Sequence, residues 1–253
     1  MLDALMEESG EERGDIQVIK QSDPEQAAKI GVQLVREAEA DFLMKGKLDT
    51  AVILKAVVAK DSGLNAGSLM SHVAFLEIPT YHKLVVLTDS GMVIRPDFSQ
   101  KIKIIHNAAQ TLRSMGYEQP KIGLLAAVEK ENPQMPETVD AAALTTLNRQ
   151  GTISGCYVEG PVSYDILMSR ESARKKGFSS PVVGNADVLM VGDMATGNIL
   201  GKALTVSGRA KMAGMVVGAK APIVLTSRGA HVEEKINSLL LAAACFRDKE
   251  ESL

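Results

Sequence analysis

Tryptophan is absent, and five phenylalanines and four tyrosines bring the aromatic content of 253 residues to only 4%. A chain so poor in rings lacks the stacking platforms that hold single-stranded nucleic acid. Excess positive charge is missing too: 28 Lys and Arg against 31 Asp and Glu leave a formal charge of −3, with no basic footprint for nucleic acid. The two cysteines, Cys156 and Cys245, lie far apart in apolar surroundings with no Cys-x-x-Cys, and read as reduced core thiols. His72, His82, His106 and His231 show no metal-ligand spacing, so no zinc site is expected. No run of about 18 apolar residues exists to cross a membrane. The acidic start Met1-Leu-Asp-Ala-Leu-Met-Glu-Glu8 is unlike a secretory signal, so a cytoplasmic location is expected.

Two nucleotide-site signatures are also missing. Gly197-Asn-Ile-Leu-Gly-Lys-Ala203 has three residues between its glycines and alanine after the lysine. A phosphate-binding Walker loop needs four, then Ser or Thr to reach magnesium. No Gly-x-Gly-x-x-Gly joins a strand to a helix, which argues against a nicotinamide site.

What is present is an alternation of apolar strand-like runs and amphipathic helical patterns, implying βα units and a largely parallel sheet. Strands are expected at 42–44, 84–88, 122–128, 155–158, 188–191 and 223–226. Helices are expected at 51–60, 100–115, 138–150, 164–176, 196–206 and 233–246, after a first one capped by Asp23 with Pro24 in its first turn. Ala40-Asp-Phe-Leu-Met-Lys-Gly46 with Thr50 has a counterpart in Ala186-Asp-Val-Leu-Met-Val-Gly192 with Thr196. Both read as strand, polar loop and threonine-opened helix, a pattern that aims two helix starts at one cleft but that any α/β chain also repeats.

The most informative stretch is Pro222-Ile-Val-Leu-Thr-Ser-Arg-Gly229. A strand that stops at Ser227-Arg228-Gly229 and enters a helix gathers backbone N–H groups, a hydroxyl and a guanidinium at one spot. That suits an anion. Glu233 and Glu234 in the first helical turn add a carboxylate able to act as a general base. The same residues also describe an ordinary capped helix with solvated charges. Lys45, Lys47 and Lys55 gather cations around the first βα turn, where a solvated lysine is the plainer reading. Asp193, Thr196 and Asn198 offer polar ligands or a cap at the second turn. His72 reads equally as a satisfied buried histidine or a functional one, and His231 as an exposed helix-start residue with a lesser claim to proton transfer.

The ordered set Asp41-Phe-Leu-Met-Lys-Gly46 with Thr50, Met70-Ser-His-Val-Ala-Phe75, Ala127-Val-Glu129 with Asn132-Pro133, and Asp140-Ala-Ala-Ala143 resembles the phosphate acetyltransferase and phosphate butyryltransferase family. Gly155-Cys-Tyr-Val-Glu-Gly-Pro161 with Asp165, Gly184-Asn-Ala-Asp187, Thr196-Gly-Asn198 and Ala221-Pro-Ile-Val-Leu-Thr-Ser-Arg228 continue it in family order, closer to the butyryl branch. The resemblance implies two α/β/α lobes with mostly parallel sheets around a cleft, residues 1–87 with 214–253 forming one and 88–213 the other. It implies reversible acyl transfer between coenzyme A and inorganic phosphate, with acyl-CoA, phosphate and acyl phosphate as partners. Homodimers or larger assemblies are implied, and no metal or redox cofactor. It carries Ser227 and Arg228 to the active site, with Glu234 where the acetyl branch has aspartate and Glu233 beside it. Lys45, Gly46, Thr50, Lys55, Ser71, His72, Thr196, Asn198 and Gly229 become candidate substrate contacts, Lys55 standing where the family has arginine.

Family members open with a further βα unit before the region matching 16–20, whereas this chain has only the acidic residues 1–15 there. That departure, with glutamate for aspartate, motivates one alternative, a non-catalytic module binding coenzyme A or acyl phosphate. Acetyl in place of butyryl transfer is another. An oxidoreductase of the isopropylmalate dehydrogenase type, on a related fold, needs a nicotinamide site and acidic metal ligands that the sequence lacks.

Overall fold

The structure is a computed structural model and describes residues 16–65, 67–227 and 229–250. Among the described residues the first elements are α1 (Pro24–Arg36), β1 (Leu43–Met44) and α2 (Thr50–Val58), then β2 (Ser71–Glu77) and β3 (Val85–Thr88). Next come α3 (Phe98–Arg113), β4 (Lys121–Leu125), α4 (Pro136–Arg149), β5 (Tyr157–Val162), α5 (Tyr164–Met168) and α6 (Arg170–Lys175). β6 (Val188–Met190), α7 (Met194–Lys202), β7 (Lys211–Val217), β8 (Ile223–Val224) and α8 (Val232–Glu250) complete it. A single π-helical turn, Ala203–Ser207, extends α7.

Local chemistry fixes several helix ends. Asp23 accepts the Glu25 N–H at 2.9 Å, and Pro24 needs no donor in the first turn of α1. Asp97 and Gln100 form a reciprocal capping box at α3. The expected helix 164–176 is in fact two, because Ser169 turns extended (φ −138°) and its hydroxyl caps α6 through the Ser172 N–H.

The eight strands form one mixed sheet in the order β1-β8-β7-β2-β3-β6-β4-β5. Four neighbouring pairs are parallel, and the central β8–β7, β7–β2 and β2–β3 pairs are antiparallel. β2 and β7 are the strands that the sequence reading did not identify. Val73, Ala74, Phe75 and Leu76 are all buried, so β2 has no alternating pattern, and Gly214 interrupts the apolar run of β7. Pro161 read as loop punctuation, yet it lies in β5; that strand is at the sheet edge, where a missing N–H is tolerated.

Directly paired residues share a face, so His72, Ala74 and Leu76 lie on the same face as Val216, Gly214 and Met212. The opposite face carries one unbroken core. Val73, Met215, Val224 and Val188 pack there against Ile104 and Ile105 of α3, Leu144 of α4 and Ala242 of α8. On the His72 face the core is split. Leu76, Leu87 and Leu189 pack with Ile166 and Leu200, while Val216 and Ile223 pack separately with Val32, Ile53 and Val57 of α1 and α2.

Candidate active site

β1 and β8 are parallel, so both chains leave the sheet at the same end, and the Lys45 N–H donates to the Val224 carbonyl at 3.0 Å. Lys45 is buried, and its ammonium donates to the Gly46 carbonyl at 3.2 Å. Gly46 and Thr50, the first residue of α2, are exposed beside it. Ser227 is exposed; its hydroxyl accepts the Gly229 N–H at 3.4 Å and its carbonyl the Ala230 N–H at 3.1 Å. Its chain neighbours aside, no atom of a described residue lies within 4 Å of where a Cβ on Gly229 would stand. Arg228 lies outside the described residues.

The two glutamates part company. Glu233 is exposed and ion-paired with Lys211 at 2.8 Å, a contact weakened by solvent. Glu234 is half-buried, and burial pushes its carboxyl above the usual carboxylate range against the opposing pull of His231 and Lys235. Its carbonyl accepts the Ser238 hydroxyl at 2.7 Å, and that hydroxyl in turn accepts the Gly214 N–H at 3.0 Å. The helix start is thus tied to the middle of β7.

A second constellation surrounds His72. Its Nδ1 lies 2.9 Å from the Ser90 hydroxyl, and its carbonyl accepts the Thr88 hydroxyl at 2.8 Å. The buried Asp89 carboxylate accepts four backbone N–H groups, from Gly91 and Met92 at 2.8 Å and from Val93 and His72 at 3.2 Å. Desolvation holds the imidazole below its usual pKa, partly offset by Asp89. Asp89 and Ser90 were not singled out in the sequence, although Asp-Ser-Gly directly after an apolar strand is an Asx-turn signature.

The N-terminus of α7 rests on this loop. Gly197 is required there, since a Cβ would come within 2.7 Å of the Asp89 carbonyl. Asp193 accepts the Thr196 N–H at 2.8 Å, the capping bond, and Thr196 and Asn198 remain exposed. Between α2 and the 92–95 loop opens a cavity of about 540 Å³, with Val57, Met70, Met92, Ile94, Arg95 and Gly218 in its lining. Met70 and Met92 join the α1–α2 cluster, whereas Leu69 and Val93, also in the lining, join the core of the opposite face, so the cavity lies at the end of the sheet where β2 begins.

Lys45, Gly46, Thr50, Ser227 and Gly229 therefore share one end of the sheet. His72 lies along the floor from them: it pairs with Val216, which pairs with Ile223, and Ser227 is four residues on, at most about 13 Å beyond Ile223 along the chain. Lys55 is exposed and paired with Glu25 of α1 at 3.2 Å. Ser71 is fully buried on the opposite face, accepting a hydrogen bond from Asn107 at 2.9 Å. α2 and α7 begin at opposite ends of the sheet, because three antiparallel steps separate β1 from β6. The two similar units thus flank the seam from its two ends. Among the described residues no three His, Cys, Asp or Glu side chains gather as a metal site. No described helix is long and apolar enough to cross a membrane.

A mixed α/β sheet whose core is split on one face, with Ser227 and Gly229 following β8, has relatives. The family model described as "Phosphate acetyl/butaryl transferase" matches residues 2–243. The phosphate acetyltransferase of Thermotoga maritima is 41% identical over 220 residues, 87% of this chain and 75% of its own length. The phosphate butyryltransferase of Clostridium acetobutylicum is 40% identical over 240 residues, 95% of this chain and 80% of its own. A solved branched-chain phosphotransacylase from Enterococcus faecalis superposes with a TM-score of 0.85 at 37% identity, covering 90% of this chain and 82% of that one. The chain belongs to the phosphate acetyl/butyryl transferase family.

Proposed function

We propose that this chain moves an acyl group reversibly between coenzyme A and inorganic phosphate, with butyryl-sized chains preferred to acetyl. The observation that carries the reaction is identity of about 40% to both phosphate acetyl- and butyryltransferases over nearly the whole chain. The longer acyl chain is favoured by the likeness to a branched-chain phosphotransacylase and by the apolar wall of Val57, Met70 and Met92. One or two methylenes in such a pocket shift preference by about 1–3 kcal/mol, so the preference is graded.

In the forward direction a phosphate oxygen attacks the thioester carbonyl, the C–O bond forms, the C–S bond breaks and coenzyme A leaves as thiolate. Arg228 and the N–H groups of the turn at Gly229 bind the phosphate, and Ser227 hydrogen-bonds the thiolate or the oxyanion. In reverse, Glu234 takes the thiol proton; its half-buried carboxyl suits a base better than the ion-paired Glu233 does. Lys45, Gly46 and Thr50 would meet the phosphate from β1, and Thr196 and Asn198 the other end of coenzyme A. Much of the rate then comes from holding two substrates in one cleft. The same reading takes 1–87 with 214–253 as one lobe and 88–213 as the other. It also takes the assembly as a homodimer or larger in the cytoplasm, with no metal or redox cofactor.

The test is thiol release from acetyl-CoA, propionyl-CoA and butyryl-CoA, each with and without phosphate. Phosphate-dependent release rising toward butyryl-CoA is expected, and Arg228→Ala should abolish it while leaving the circular dichroism spectrum unchanged. Release that ignores phosphate, or near-normal turnover by Arg228→Ala, would overturn the assignment.

A further inference from the structure

The His72 ring is held on three sides. A Cβ on Gly91 would lie 3.3 Å from its Cγ, and a Cβ on Gly214 would lie 2.9 Å from its Nε2. Ser90 engages Nδ1 at 2.9 Å. The ring therefore leans from β2 across the face of β7, toward the level of Leu225 and the Ser227 turn. Any side chain at 214 would displace it. Nε2 has no hydrogen-bond partner among the described residues, and none of their side-chain N or O atoms is both buried and unpartnered, so Nε2 reaches open space. It does so between the two clusters into which the core of this face divides.

We infer that His72 is a catalytic hydrogen-bond donor for the acyl group, its Nε2–H directed at the carbonyl oxygen of the thioester or acyl phosphate, with Ser90 as the positioning residue. The inference rests on the proposed acyl transfer and adds a group to it. In this inference the Ser90 hydroxyl, 2.9 Å from Nδ1, is the donor of that hydrogen bond, which leaves the proton on Nε2. As phosphate attacks and negative charge gathers on the carbonyl oxygen, the hydrogen bond that Nε2–H donates to it strengthens, and no proton leaves the ring. A neutral imidazole suits this role, because it donates without carrying a charge into the cleft. Burial favours the neutral ring, opposed by Asp89. Among the described residues packed on the ring, β7 supplies Gly214, and the loop after β3 supplies Asp89, Ser90 and Gly91, so Asp89 is the charge that faces it there. Four backbone N–H groups already occupy that carboxylate, which leaves Ser90 to choose the tautomer.

Two readouts test this on the full chain. Long-range proton–nitrogen NMR of the histidine rings, with the His72 signals assigned by their loss in His72→Gln, reads the tautomer directly. A proton on Nε2 alone near neutral pH is expected; a proton on Nδ1, or a doubly protonated ring, overturns the inference. In steady-state assays with butyryl-CoA, His72→Ala should lower kcat about 100-fold, the order found for loss of one oxyanion donor, with KM for phosphate nearly unchanged. His72→Gln, which keeps an N–H donor, should recover part of the loss, and Ser90→Ala should lower kcat less and alter its pH profile. An active wild type with His72→Ala equally active sinks this inference alone. A folded wild type with no phosphate-dependent release sinks the acyl-transfer reading as well.

Discussion

The two faces of the sheet are built from the same strands and end up opposite in character. Under α3, α4 and α8 the core runs without a break from Val224 across β7 and β2 to Val188. Under α1, α2 and α7 it divides, and the gap over β2 and β7 is floored by His72 and Gly214, with Gly91 against the ring. A close-packed core leaves no room for a substrate. The unbroken face holds the halves together, so the other face can stay open along the same seam.

The comparison is sharpest in stability. Ile105 is fully buried on the unbroken face, and Ile105→Ala should cost about 2–5 kcal/mol in urea unfolding through lost contacts and a residual cavity. Fluorescence is a poor probe without tryptophan, so circular dichroism should follow the transition, and one transition is expected for both halves. Two resolved transitions would show that the shared core does not couple them, and the comparison would break.

On the split face, Met92 is half-buried in the cavity wall. Met92→Ala should cost only about 1 kcal/mol, below the range for a fully buried methionine, and should move the acyl preference toward chains longer than butyryl. An unchanged preference across acyl-CoA lengths would remove Met92 from the acyl wall.

The smallest effect concerns pH. A carboxyl whose folded pKa is raised binds its proton more tightly in the folded chain, so stability falls as pH rises from the ordinary carboxylate value to the raised one. Burial raises Glu234 in this way. Glu234→Gln should flatten the pH dependence of the urea midpoint in the window just above the ordinary carboxylate range, by a few tenths of a kcal/mol for a half-exposed group. A slope equal to that of the wild type would mean that burial does not strain this carboxyl.

Much of this was legible in the sequence, because it is written locally. Asp23-Pro24 predicts the start of α1, and the apolar runs near 43, 85, 122, 188 and 223 are strands at or within a residue or two of those positions. The family, and with it the Ser227–Gly229 turn, was carried by segments that keep their order along the chain. Harder to see were β2 and β7, since a strand buried on both faces loses the alternation that marks a strand. Without those two strands, the break in one face could not be located. Ser71 and His72 show the consequence: neighbours in sequence, they point to opposite faces, Ser71 into the sealed core and His72 into the seam.

The sequence by itself determined the α/β alternation, the helix caps and the chemical groups at the Ser-Arg-Gly turn, all of which depend on residues a few positions apart. The tertiary structure alone decided that the two similar βα units start at opposite ends of one sheet, and that Glu234 is half-buried while Glu233 pairs with Lys211. It also decided that Gly91, Gly214 and Ser90 hold His72 on the face whose core is split. Strand direction, burial and the close approach of a ring to a glycine arise between residues distant in the chain, and no local pattern encodes them.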